Sequence, residues 1–253
     1  MKNWFAILLI TLANAALADT ESSQQQDAVD AGYRIAQKAD NRNTGWVDLV
    51  ADLKMELINS HGSRSQRELR VSMLEVVDTE AGDKSLVRFQ TPANVKGTVL
   101  LTHAYATRSD SQWQYFPSLK RVKIISSANK FSWILDKYRY KLLGKEEMDG
   151  QAAFKLEMAP NYPKSGYTRL IIWLDQENYY PVKTEFYDRK NELLKTQTYS
   201  DYRSYISGRF WRAGKMKMVN HLTGKTTLLE WNDYQLNTAL NSLSFEKGSL
   251  SSL

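Results

Sequence analysis

The chain of 253 residues contains no cysteine. That absence excludes thiolate catalysis, cysteine-ligated zinc and iron–sulfur clusters. It excludes disulfides too, which a chain of this length does not need in order to bury an adequate core. No lipoprotein-type anchor is expected, because that anchor requires a cysteine. Histidine is nearly as scarce: His61, His103 and His221 are the only three. None has a second histidine four residues on, so there is no H-E-x-x-H metal site. There is no G-x-S-x-G nucleophile elbow and no G-x-x-x-x-G-K-S/T phosphate loop. Glu146-Glu147 and the scattered acids Asp19, Glu21, Asp27, Asp30 and Asp40 lack calcium-loop spacing. Neither an enzyme, a metal nor a cofactor is therefore expected. Proline is sparse and scattered, with 5 in the chain, and no repeat or linker divides the sequence.

Long apolar runs are also missing. The longest, Trp4–Leu12, follows the basic start Met1-Lys2-Asn3 and precedes Ala16-Leu17-Ala18. It is far short of the roughly 20 residues of a membrane span, and with the A-x-A site it reads as a cleavable export signal over 1–18. The expected address is the periplasm. Removing it takes one lysine and no acid from a net charge of +6. A modest positive excess at that address suits an anionic membrane surface better than nucleic acid.

What remains is organised by alternation. Residues 19–44 read as a polar leader followed by a helix from Asp27 to about Asn41, with a narrow apolar stripe through Val29, Tyr33, Ile35, Ala36 and Ala39. From Gly45 the period becomes two. Val47, Leu49, Ala51, Leu53, Met55 and Leu57 alternate with Asp48, Asp52, Lys54 and Glu56, which makes a strand with one dry and one wet face. Asn59-Ser60-His61-Gly62 is turn chemistry, and Ser65–Val76 repeats the alternation as the second arm of a hairpin. Further strands are expected at 84–90, 98–105, 112–116, 119–126, 138–143, 152–158, 167–175, 182–188, 193–205, 215–222 and 226–236, parted by turn signals such as Asp149-Gly150 and Thr223-Gly224. Thirteen strands with few helices predict a mainly β, curved antiparallel sheet, closed or partly open, as one domain over 45–253. Ser127–Asp136 breaks the pattern: Phe131, Trp133, Ile134 and Leu135 form an apolar cluster suited to a lid over the sheet.

Aromatic and basic residues occur together in three places, Trp113–Lys123, Tyr138–Lys141 and Arg209–Arg212. Most are expected to pair with acids on neighbouring strands, and a minority to meet lipid phosphates.

Lys84–Phe89, Pro92–Thr98 and Gln112–Val122 resemble the outer-membrane lipoprotein-sorting protein family of LolA-like type, and Gly166-Tyr167, Trp173, Tyr179–Lys183 and Phe186–Asp188 agree with it. The resemblance runs from about Gly45 to the C-terminus. It implies an incomplete antiparallel β-barrel of LolA/LolB-like form, with a few covering helices and an apolar concave interior that shelters acyl chains of lipids or lipoproteins. It implies no cofactor, and some members work beside an inner-membrane exporter. The residues expected to line the cavity are Leu49, Leu53, Met55, Leu57, Leu69, Val71, Met73, Phe89, Leu101, Trp113, Val122, Ile124, Phe154 and Leu156. One element departs from the family. A Ser/Gly-rich loop and acidic helix usually follow the Lys-Arg-Val block, whereas here Ser126–Trp133 passes quickly to Tyr138.

The expected function is that of a periplasmic lipid or lipoprotein carrier. Its main alternative is a periplasmic sensor of lipids or mislocalised lipoproteins acting on a membrane-bound regulator. A transmembrane barrel fits less well, because the outer faces carry Asp48, Lys54, Glu56, Glu68 and Arg70. A hydrolase built on His103 has the least support.

Overall fold

The computed structural model describes residues 5–77, 80–125 and 135–251. Among them lie a long helix, α1 (Phe5–Arg42), and thirteen strands. The first six are β1 (Asp48–Ile58), β2 (Arg64–Leu74), β3 (Ala81–Thr91), β4 (Val99–Tyr105), β5 (Ser111–Phe116) and β6 (Arg121–Ile124). The remainder are β7 (Tyr138–Met148), β8 (Gln151–Pro160), β9 (Arg169–Asp175), β10 (Pro181–Tyr187), β11 (Leu193–Tyr205), β12 (Phe210–Asn220) and β13 (Lys225–Leu236).

All thirteen form one antiparallel sheet in the order β6-β5-β4-β3-β2-β1-β13-β12-β11-β10-β9-β8-β7. The sheet is a meander interrupted once: β1 pairs with β13, so the first and last strands meet at its centre. The edges β6 and β7 are consecutive in sequence but do not pair, and the barrel stays incomplete. Each predicted strand has its counterpart here.

Antiparallel partners share a face, so the register sorts the side chains. Leu49, Leu53, Leu69 and Met73 on β1 and β2 lie on the same face as Trp231 and Leu229 of β13, Met216 of β12, Ile172 of β9 and Leu156 of β8. This is the concave side. Beyond β2 the parity places Leu86, Leu101, Trp113 and Val122 on the opposite, convex side, where Phe245 and Leu250 of two C-terminal 3-10 turns cover them.

Helix α1 covers the β7 end of the concave face. It is longer than expected. The leader 19–26 is helical rather than loose, because no proline and only one glycine interrupt residues 5–42. Ala36 and Ala39 are buried on Tyr140, Leu156, Leu170 and Ile172. Gly32 lets helix and strand approach closely. A Cβ there would lie 2.7 Å from the Leu142 backbone nitrogen. No described helix is long and apolar enough to cross a membrane.

Candidate functional site

Between the end of α1 and the middle of the concave face lies a cavity of about 420 Å³, toward the small end of the ~300–1,000 Å³ typical of ligand pockets. Its floor is Leu49, Met73, Ile172, Leu174, Met216 and Trp231, and aromatic rings wall it: Trp46, Tyr179, Tyr180, Tyr199, Tyr202, Trp211 and Tyr234. The rings brace one another. Tyr180 stacks on Tyr202 with centroids 3.8 Å apart, and Trp231 on Tyr234 at 5.7 Å. Burial raises the phenols of Tyr199, to about 12, and of Tyr202 and Tyr234, so the wall is neutral throughout the physiological range. Smooth, rigid, uncharged walls suit a hydrocarbon more than a polar substrate.

Four charged residues, Arg42, Arg209, Arg212 and Asp83, also line the cavity. The rim is built where α1 hands over to β1, in a turn with a strained centre: Val47 has φ 62°, costly for a β-branched residue. Glu75 holds it there by accepting hydrogen bonds from the backbone of Gly45 and Val47 at 2.6 and 2.8 Å. Arg212 donates to the Asn43 side chain at 2.8 Å, and Arg209 to the Thr44 carbonyl at 3.0 Å.

Burial pushes the Asp83 carboxyl up to about 6, against a hydrogen bond from the Val76 amide and the attraction of Arg212, with Glu75 and Asp40 adding to the rise. A carboxyl with a higher pKa folded than unfolded stabilises the fold most while protonated in both states. That stability falls away as pH rises from about 3.8 to about 6. Asp83→Asn keeps the acceptor for Val76 and removes the titration. It is expected to stabilise the protein above pH 6 by on the order of 1–2 kcal/mol and to leave stability below pH 4 nearly unchanged. Urea titrations of both proteins across that range check the sign.

Of the residues expected in the cavity, Leu49 and Met73 line it directly. Leu53, Leu69 and Val71, with Met55 and Phe89, form a filled cluster that continues the same face through Met73 and Trp231. Leu57 lies further out along that face, opposite Ser65 and Thr227. Phe154 stacks on Tyr179 at the cavity edge, and Leu156 is sealed beneath α1. Four assignments are corrected. Leu101, Trp113 and Val122 belong to the convex cluster under the C-terminal turns. Ile124 shares that side with its partner Trp113 and is 72% exposed. In the lid, Leu135 opens a 3-10 turn packed against the cluster beneath α1, while Phe131, Trp133 and Ile134 lie outside the described residues.

The aromatic wall was not anticipated. Tyr199, Tyr202 and Tyr234 sit on strands whose alternation was read but whose faces were not, and Arg209–Arg212 was noted only as a basic and aromatic cluster. The histidines stand elsewhere. His61 is exposed in the β1–β2 turn, His103 Nε2 lies 2.7 Å from the Phe245 carbonyl, and His221 Nε2 lies 2.8 Å from Thr196 Oγ1. The described residues contain no group of three His, Asp or Glu that could hold a metal ion.

Comparison with known proteins agrees with this architecture. A family model described as an uncharacterized protein matches residues 81–135 and 131–252. A Vibrio parahaemolyticus structure, described as an outer membrane lipoprotein-sorting protein domain, is 40% identical with a TM-score of 0.82, over 88% of this chain and 99% of that one. A DUF1329 family protein from Desulfovibrio piger is 26% identical with a TM-score of 0.80, again over 88% and 99%. A LolA superfamily protein from Nitrosomonas europaea shares the fold at 21% identity, TM-score 0.64, over 85% and 97%. No curated protein matches the chain.

Proposed function

The chain belongs to the LolA-like outer-membrane lipoprotein-sorting family, and from that premise we propose that it is a periplasmic carrier that shelters an acyl chain of a lipid or lipoprotein in its concave cavity. The carrying observation is the unfilled space of about 420 Å³ walled by uncharged rings. A sixteen-carbon chain at ~0.8 kcal/mol per methylene gains on the order of 13 kcal/mol when it leaves water. Ordering and desolvation take back a large share. What is left suffices for reversible carriage without covalent chemistry. Export by the signal at 1–18, an inner-membrane exporter as donor and transient contact with an anionic membrane surface belong to the same proposal.

Met216 lines the cavity beside Trp231 and Tyr199 and is only partly buried. Met216→Trp is expected to fill the space and weaken binding of a fluorescent sixteen-carbon probe at least tenfold, with the fold kept by far-UV circular dichroism. Mass spectrometry of protein purified from envelopes should find acyl lipid on wild type and little on the variant. A wild-type protein that neither carries lipid nor binds the probe would sink the reading.

A further inference from the structure

The cavity has an apolar body and a cationic end, and the arrangement of that end narrows the class of ligand. Arg42, Arg209 and Arg212 all line it. Among the described residues none of the three forms an ion pair. They gather on one short turn. Arg42 ends α1 just before it and donates to the Glu177 carbonyl at 3.3 Å, Asn43 accepts from Arg212 and Thr44 from Arg209. The guanidinium carbons of Arg209 and Arg212 stand 5.2 and 5.6 Å from the centroid of the same Phe210 ring.

These bonds occupy one nitrogen of Arg209 and one of Arg212, so most of the five N–H donors on each guanidinium remain for a further acceptor. Burial lowers the Arg212 pKa, yet a guanidinium stays charged at any relevant pH. Asp83, Glu75 and Asp40 are the nearby acids, and neither Asp83 nor Glu75 bonds an arginine. Glu75 is committed to the backbone of Gly45 and Val47, and Asp83 to Val76.

A second, separate observation points the same way. Trp211 Nε1 and Trp231 Nε1 are buried donors with no hydrogen-bond partner among the described residues, and both tryptophans line this cavity. Buried polar atoms are rarely left unpaired. The two orphan indole N–H groups and the guanidiniums are all donors in want of an acceptor, and the guanidiniums favour one that carries negative charge.

Building on the carrier reading above, we infer that the cavity takes an anionic amphiphile, its oxyanion headgroup held by Arg42, Arg209 and Arg212 and its tail among the rings. The headgroup enters last and marks the mouth, beside the end of α1. Arginine matches this task because its planar fork meets carboxylate and phosphate oxygens in pairs.

The test compares three fluorescent probes with the same sixteen-carbon tail and a carboxylate, a hydroxyl or a trimethylammonium head, on delipidated wild type and on Arg42→Gln/Arg209→Gln. Arg212 is left intact because it is half-buried, whereas Arg42 and Arg209 are exposed. Wild type is expected to bind the carboxylate probe at least tenfold more tightly than the alcohol. The double variant should erase that preference, with the ratio of the carboxylate to the alcohol affinity falling to about one. Equal affinity for carboxylate and alcohol, or an unchanged preference in the variant, would overturn the headgroup assignment while the carrier reading stands. Failure of all three probes to bind would remove both. Displacement of the carboxylate probe by millimolar inorganic phosphate alone would show a free-anion site and defeat the amphiphile assignment.

Discussion

Lys137→Met is expected to lower the stability of the fold by about 3–5 kcal/mol. Lys137 ends the 3-10 turn that leads into β7, and its Nζ lies 2.5 Å from Asp110 Oδ1 in the turn before β5. The side chains are 1% and 3% exposed. Burial lowers the lysine pKa against the opposing pull of Asp110, and the ammonium also stands 5.0 Å from the centre of the Tyr162 ring. Two charges have been taken out of water, and each offsets much of the other's cost.

Met replaces the lysine stem at similar volume and leaves the carboxylate buried with its main charge partner gone. Asp110→Leu/Lys137→Met, which removes both charges, should recover most of the loss, since a buried pair is often worth no more than an apolar one of its size. Urea unfolding of the two single variants and the double closes the cycle. A loss below about 1 kcal/mol for Lys137→Met would show that the pair is not the clasp its burial suggests. The position gives the number its meaning. The β4–β5 turn belongs to one end of the open sheet and the entry to β7 to the other, so this bond spans the seam where the barrel fails to close.

The seam, the strands and the family were unequally legible. Strand positions followed from alternation alone, because one wet and one dry face leave a period of two in the sequence. Which face each strand turns inward did not follow. Parity across a connection depends on its residue count and on bulges such as those at Glu68/Leu69 and between Ala81 and Lys84, and a slip of one residue exchanges the faces. Leu101 and Trp113 were assigned to the cavity for that reason. Their strands, β4 and β5, turn these side chains toward Phe245 and Leu250, which the sequence places more than a hundred residues away. The cationic rim was hidden differently. The strand expected at 215–222 begins at Phe210, so Arg209, Trp211 and Arg212 fall between the expected strands and hence outside the expected site.

Helix α1 offers the second strong expectation, because the ordinary rule and this structure predict opposite signs. Gly→Ala inside a helix normally gains up to about 1 kcal/mol. At Gly32 the added Cβ would lie 2.7 Å from the Leu142 nitrogen and 2.8 Å from the carbonyl carbon and Cα of Lys141. These are backbone atoms of β7, pinned by pairing with β8, and they cannot swing aside as a side chain would. The helix must lift instead. Gly32→Ala is therefore expected to destabilise by about 1–3 kcal/mol, and Gly32→Leu by more. The consequence reaches the ligand. Ala36 and Ala39 sit on the same stripe, and Ala39, Arg42 and Asn43 line the cavity, so a lifted helix draws both wall and cationic rim away from the sheet. Probe affinity should fall with stability in both variants, and protease cleavage within 22–42 should speed up. A Gly32→Ala protein more stable than wild type would mean that α1 is not seated on β7 by close backbone approach. In that case the cavity would lack the wall that lets it hold a tail.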